Sequence, residues 1–231
     1  MKIIITCEHA THVIPEKYEN FYLDHDKVLL AHEGWDMGAL QIAEAMAGKS
    51  DFFYFANHSR LLIDLNRSLH HPNVFSSVSK LLTLEHKEEI IDQHYLPYRS
   101  KIEENVARFI STHASVLHLS VHSFTPELNG KVREAEIGLL YDAKRAEEKY
   151  FCAIWHDELE VYQQFRVRMN YPYKGSSDGF CTALRMQFKE KYLGIELEVN
   201  QAILSNQKEI SDIAEILSET FWSAIEKKRG G

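Results

Sequence analysis

Cysteine is scarce in this 231-residue chain. Cys7, Cys152 and Cys181 are odd in number, far apart and form no C-x-x-C pair, which excludes a disulfide framework and a zinc ribbon and suits a reducing compartment. Proline (5) and glycine (10) are few, and no stretch has the composition of a linker, so the chain reads as one domain over residues 1–231. No run of about 18 apolar residues offers a membrane span. The segment MKIIITCEHA is too short in apolar residues for a secretory core and has no cleavage site. Basic residues are outnumbered, 26 against 34 acidic, for a net charge of −8. That excludes nucleic acid as a partner, because phosphate binding needs clustered Lys and Arg, and the short KKRG near the end does not reverse it. The expectation is a soluble, cytoplasmic protein; oligomeric state is not legible.

What is present is ordinary core material, 45% hydrophobic, arranged in alternating periods. KIIITC (2–7) is β-branched and short, as a central strand should be. In 34–47 the apolar residues Trp35, Ala39, Ile42, Ala43 and Met46 recur at helical spacing, with Gly48 as a stop signal, which places Asp36 in the first turn of a helix. DFFYFANH (51–58) and RLLIDLNR (60–67) read as strands. From 84 to 113 the period is helical, divided near Pro97. LHLSVHSF (117–124), AEIGLLYD (135–142), FRVRMN (165–170) and YLGIELEVNQ (192–201) read as strands. Helices fill 143–162, 177–192 (opened by a Ser-Asp cap) and 208–226. Strands alternating with helices predict an α/β fold, a three-layer α/β/α sandwich with a mostly parallel or mixed central sheet.

Several strands end in groups that bind metals or move protons: CEH at 7–9, SVHSF at 120–124 and ELEVN at 196–200. Strand carboxyl ends are where such sheets present functional groups. His9, Asp36 and His122 suit the three protein ligands of a hydrolytic zinc ion, leaving one position for water, with Glu198 as the base. Each position also has a structural reading: the histidines bond backbone carbonyls, and Asp36 stabilises a helix N-terminus. Glu196 is assigned to the strand face opposite Glu198. Ser123 and Thr125 have no G-x-S-x-G elbow around them, so hydrogen bonding rather than nucleophilic attack is expected of Ser123.

CEHATHVIP, HEGWDMGALQIAEAMA, SRLLIDLNRS, LSVHSFTP, REAEIGLLYD, VRMNYPYKGSSDGF and GIELEVNQ occur in the order found in the N-formylglutamate amidohydrolase family, which the chain resembles over most of residues 1–205. The resemblance implies a fold similar to the zinc-dependent exopeptidases, one zinc ion held by His9, Asp36 and His122, and Glu198 as the acid that closes the site. Glu8, Ser123, Arg60 and Asp64 are expected around these ligands.

A small N-acylamino acid carries carboxylates, for which arginine's planar fork is suited. Arg67 beside Asn66 is the first candidate for binding it and Arg133 the second. Asn170 and Tyr173, in a loop rich in Gly, Pro and Asn, either donate hydrogen bonds to substrate or pack the loop. Two other functions are carried alongside N-formyl-L-glutamate hydrolysis: a related amidase or carboxypeptidase-like peptidase on N-acyl amino acids or peptide fragments, and a metal-free ligand-binding protein on the same fold.

Overall fold

The β-branched segment Lys2–Cys7 (β1) is buried along nearly its whole length. In the computed structural model, which describes residues 1–25, 29–30 and 34–230, β1 lies between two parallel neighbours, β2 (Phe52–Phe55) and β3 (Val116–Phe124). β4 (Glu127–Leu128) and β5 (Lys131–Val132) form a small exposed hairpin. The strands β6 (Ile137–Leu140), β7 (Val167–Met169) and β8 (Tyr192–Asn200) complete a six-stranded sheet in the order β2-β1-β3-β8-β6-β7. β8 runs parallel to β3 but antiparallel to β6, so the sheet is mixed. His32 and Glu33, which open the second of the seven blocks, lie outside the described residues.

Among the described residues the helices that build the layers are α1 (Glu16–Glu19), α2 (Ala39–Met46), α3 (Leu84–Ile90), α4 (Leu96–Ser111), α5 (Ala146–Glu160), α6 (Phe180–Phe188) and α7 (Gln207–Gly230). α2, α5 and α7 pack together over one face of the sheet. There the Trp155 and Phe221 rings stand 5.1 Å apart and Trp222 Nε1 donates to the Met46 carbonyl at 3.0 Å. α4 and α6 cover the other face, where Tyr98 and Phe180 meet. This is the expected three-layer sandwich. No helix among the described residues is long and apolar enough to cross a membrane.

Side chains alternate across a strand, and β3 uses this to separate two environments. Leu117, Leu119 and Val121 enter the apolar layer, while His118, Ser120 and His122 face the α4/α6 side. Although fully buried, His118 is satisfied: its Nε2 lies 2.7 Å from Thr6 Oγ1 and its Nδ1 2.6 Å from the Tyr192 hydroxyl. Burial, aided by the nearby Arg185 and His122 charges and opposed by Glu8, lowers its pKa to about 4 from an ordinary 6.5. The unfolded chain therefore binds a proton that the folded chain refuses. Stability from neutral His118 is complete above pH 6.5 and falls as pH drops toward 4, by an amount on the order of 3 kcal/mol. Denaturant unfolding at several pH values should show a flatter acid limb for His118→Asn than for the parent protein, even with lower stability at pH 7; parallel limbs would remove His118 from the account.

Four sequence expectations change. Residues 60–67 form no strand. Leu62, Ile63 and Leu65 are buried, but the backbone turns, and its carbonyls are met by side chains: Ser79 Oγ bonds those of Leu61 and Leu62, Tyr95 that of Arg67, and Arg99 those of Leu65 and Arg67. The helix expected from 34 begins only at Ala39, because Gly38 at φ +80° breaks the run; Asp36 sits in the preceding turn. The division within 84–113 is a wide helical turn at Ile91–Tyr95, just before Pro97. α6 has no Ser-Asp cap: Asp178 instead accepts the Ser68 N–H, and the Phe180 N–H goes to Asn66 Oδ1 at 2.7 Å.

Candidate metal and active site

His9 follows β1, Asp36 occupies the turn before α2, and His122 lies near the carboxyl end of β3. One backbone bond joins the first two, Asp36 N to the His9 carbonyl at 2.9 Å. Gly38 permits the tight turn, and a Cβ on it would stand 3.0 Å from Leu204 Cδ1. Asp36 Oδ2 then lies 3.2 Å from His9 Nδ1 and 2.8 Å from His122 Nδ1. One ligand atom from each of the three residues falls within 4.8 Å of the others, and all three side chains are buried.

The far nitrogen of each ring is anchored. His9 Nε2 is 2.7 Å from Asp64 Oδ1. His122 Nε2 is 2.9 Å from Ser120 Oγ, whose hydroxyl in turn donates to Glu8. An Nε2–H directed at a carboxylate or a hydroxyl leaves the Nδ1 lone pair for the shared point, the arrangement by which outer partners orient metal-binding histidines. Arg60 holds Asp64 Oδ2 at 2.9 Å and Asp36 Oδ1 at 3.4 Å. Glu8 is fully buried and also receives the Tyr98 hydroxyl at 3.2 Å.

Electrostatics point the same way. Burial raises the pKa values of Asp36 and Asp64, but His9 and His122 around the first, and Arg60 and His9 around the second, hold both well below the usual carboxylate range. Burial raises Glu8 too, and the hydrogen bond and charge of His122 outweigh it, leaving Glu8 at about 2. His122 is held well above its ordinary value: burial opposes protonation, and Asp36 and Glu8 overcome it. Glu8, Asp36, Asp64, Glu196 and Glu198 are all buried here, with Arg60, Arg67 and Lys174 as cations beside them. The Nδ1 atoms of both imidazoles meet Asp36 Oδ2 among these buried carboxyl groups, where a bound cation would lower the cost of keeping them ionised. The donor set of two imidazoles and a carboxylate therefore fits a divalent ion with an open coordination position.

These ligands form the wall of a cavity of about 190 Å³, lined also by Arg60, Asn66, Arg67, Ser123, Tyr173, Lys174, Ser177, Asp178, Glu196 and Glu198. Glu198 is the register partner of His122, and its Oε2 is buried without a hydrogen-bond partner. Burial pushes its pKa up to about 8; His122 and Arg60 work against that, and Asp36 and Glu196 add to it. Gly138, opposite Glu198 on β6, carries no side chain because a Cβ would stand 1.9 Å from the Tyr171 carbonyl oxygen. This close approach seats the loop that carries Tyr173. Asp36, Arg60, Ser123 and Tyr173 also border a second lobe of about 300 Å³ that continues past Phe124, Thr125, Leu128 and Gln201.

The sequence candidates divide accordingly. His9, Asp36, His122, Glu198, Arg60, Asn66, Arg67, Ser123 and Tyr173 converge on the cavity, with Asp64 and Glu8 behind the imidazoles. Ser123 Oγ donates to the Met37 carbonyl and accepts from Gln201 Nε2. Two candidates stand outside the lining: Arg133 lies over the Tyr173 ring at 5.0 Å, and Asn170 Oδ1 accepts the N–H groups of Tyr141 and Gly175, shaping the loop. Glu196 corrects the sequence reading. Residues two apart share a strand face, and it lines the same cavity as Glu198. That period of two was the signal for it, as it was for Ser120 beside His122, whereas nothing in the sequence marks Tyr98 or Asp178 as neighbours of the site.

Among curated proteins nothing matches this chain. Two solved structures superpose over nearly all of it. The crystal structure of gene product Atu2144 from Agrobacterium tumefaciens is 27% identical with a TM-score of 0.84, covering 99% of this chain and 92% of its own. That of N-formylglutamate amidohydrolase from Ralstonia eutropha JMP134 is 17% identical with a TM-score of 0.68, covering 100% and 95%; at that identity the likeness is one of fold. The model of the N-formylglutamate amidohydrolase family matches residues 1–205, the span that contains every residue of the cavity. The chain belongs to the N-formylglutamate amidohydrolase family and, with it, to the hydrolases of amides.

Proposed function

We propose that this protein is a cytoplasmic, single-domain, zinc-dependent amidohydrolase that cleaves the linear amide of a small N-acylamino acid. N-formyl-L-glutamate, split to formate and glutamate, is the reference substrate its family sets. The observation that carries the reading is the convergence of two Nε2-anchored imidazoles and Asp36 beside Glu198, a buried carboxyl with an unpartnered oxygen.

A zinc ion held by His9, Asp36 and His122 would supply Lewis acidity toward the amide oxygen and lower the pKa of a water molecule. Glu198 takes the proton from the attacking water and returns it to the departing amine nitrogen. Arg60, fixed by Asp36 and Asp64, directs positive charge toward the oxyanion that develops on the carbonyl. Arg67 and Asn66 take the substrate carboxylate, and Tyr173 closes over it. Arg67 gives one N–H to the Asp178 carbonyl at 2.8 Å, which aims the rest of its fork into the cavity. Glu8 and Asp64 keep the imidazoles oriented.

Arg67→Ala is expected to lower kcat/KM by about 10–100-fold through loss of a charged hydrogen bond, with the change mainly in KM, and Arg67→Lys to recover only part of it. Steady-state kinetics check this; an unchanged KM would move carboxylate binding elsewhere. The test of the whole reading is metal analysis of the purified protein together with a panel of N-formyl and N-acetyl amino acids and dipeptides. The second lobe past Phe124 and Leu128 favours a further reading, an amidase or peptidase whose acyl group is larger than formyl, and the same panel separates the two.

A further inference from the structure

We propose that Glu196 selects the side chain of the leaving amino acid, and that this side chain ends in an N–H group, a carboxamide or an ammonium, rather than in a carboxylate. The proposal rests on the amidohydrolase reading above and adds the chemistry of the substrate's far end.

Glu196 is 9% exposed and lines the cavity with Arg67, Lys174 and Asp178. Its register partner on β3 is Ser120, one strand repeat deeper than the His122–Glu198 pair, so it stands at the inner end of the lobe that holds Arg67. A substrate whose α-carboxylate is held by Arg67, with its amide at the ligands, extends its side chain into that lobe. The nearby acids have occupations. Glu8 accepts from Tyr98 and Ser120, Asp64 from His9 and Arg60, and Glu148 from Arg185. Glu198 has the proton transfer.

Glu196 has no hydrogen-bond or ion-pair partner among the described residues. Burial raises its pKa and the Glu8 charge adds to that, while His122, Arg185 and Arg67 oppose it only through space. Arg185 is already spent on Glu148 and the carbonyls of Gly175 and Gly194. Across from Glu196 Oε1 is Gly179, where a Cβ would stand in ordinary contact with it at 3.5 Å, so that side of Glu196 presents no polar side chain to pair with it.

A buried carboxyl facing ligand volume without a partner is costly until the ligand satisfies it. An N–H group does so. A carboxylate placed against it adds like-charge repulsion in a site that excludes water, the kind of mismatch that sets specificity. A glutamate side chain in this lobe would meet Glu196 in that way, whereas glutamine or lysine would be held by it.

The experiment compares kcat/KM of the zinc-loaded enzyme on N-formyl-L-glutamine, N-formyl-L-lysine and N-formyl-L-glutamate, in the parent and in Glu196→Gln. Calorimetric binding of the free amino acids to both proteins runs in parallel. Expected is a preference of at least about tenfold for an N–H-ended substrate over the glutamate compound in the parent, and collapse of the lysine-to-glutamate ratio in Glu196→Gln. A parental preference for glutamate, or the same ratio in both proteins, overturns the assignment. If no formyl compound is hydrolysed yet the binding preference exists and is lost in the variant, the reaction reading falls and the pocket assignment stands. If turnover is strong and the ratio does not move, the reverse holds.

Discussion

Glu198→Gln is expected to lower kcat on the best substrate of the panel by about 10²–10⁴-fold, the range for removing a positioned proton-transfer group, while zinc content and thermal stability stay near the parental values. The argument is positional. Glu198 faces the same cavity as the three ligands and is paired in register with His122, yet it bonds neither imidazole, so replacing it leaves their anchors in place. Its Oε2 is buried and unpartnered, so glutamine of the same shape adds no clash and breaks no hydrogen bond to that atom. Burial also raises its proton affinity above that of an ordinary glutamate, which suits a group that must hold a proton between accepting and releasing it. A catalytic role thus predicts loss of kcat with KM and metal content preserved. A structural role predicts a lower melting temperature with kcat intact. Parental turnover in a folded, zinc-loaded Glu198→Gln enzyme would exclude Glu198 as the base.

How much of this was legible in the sequence depends on whether the determining contact is local. The period of two in LHLSVHSF sorts Leu117, Leu119 and Val121 from His118, Ser120 and His122, and the structure keeps that division, with apolar packing on one side and the polar site on the other. Ile42, Ala43 and Met46 were likewise placed by their spacing. The segment 60–67 defeated the same reasoning, because an apolar run shows that residues are buried but not what satisfies their backbone. Here Ser79, Tyr95 and Arg99, from distant parts of the chain, replace a neighbouring strand. The position of Asp36 was missed by one turn because Gly38 takes a positive φ that no periodicity reports. The convergence of residues 9, 36 and 122 follows from the parallel pairing of β1 with β3 and the bond from Asp36 N to the His9 carbonyl. Neither is written in the spacing of the ligands; the placement of His9 and His122 at strand carboxyl ends suggested the grouping, and the ordered blocks of the family resemblance strengthened it.

Replacement of a ligand tests that convergence directly. His122→Ala is expected to purify without stoichiometric zinc by elemental analysis, because it removes one of three protein donors and leaves Asp36 Oδ2 with a single imidazole partner, His9. Its effect should exceed that of Asp64→Asn, which leaves the ligand count unchanged and weakens only the Nε2 anchor of His9; loss of such an outer partner typically lowers metal affinity by 10–100-fold. The pair of variants separates two explanations of the buried cluster. If the histidines and acids exist to stabilise the core, both substitutions should reduce thermal stability by similar amounts in the metal-free protein, and neither should change zinc uptake measured by calorimetry. If they exist to hold an ion, zinc should raise the melting temperature of the parent strongly, of Asp64→Asn less, and of His122→Ala hardly at all, since a ligand stabilises only a folded state that binds it. Retention of one tightly bound zinc per chain in His122→Ala would reject His122 as a ligand and, with it, the geometry on which the proposed reaction depends.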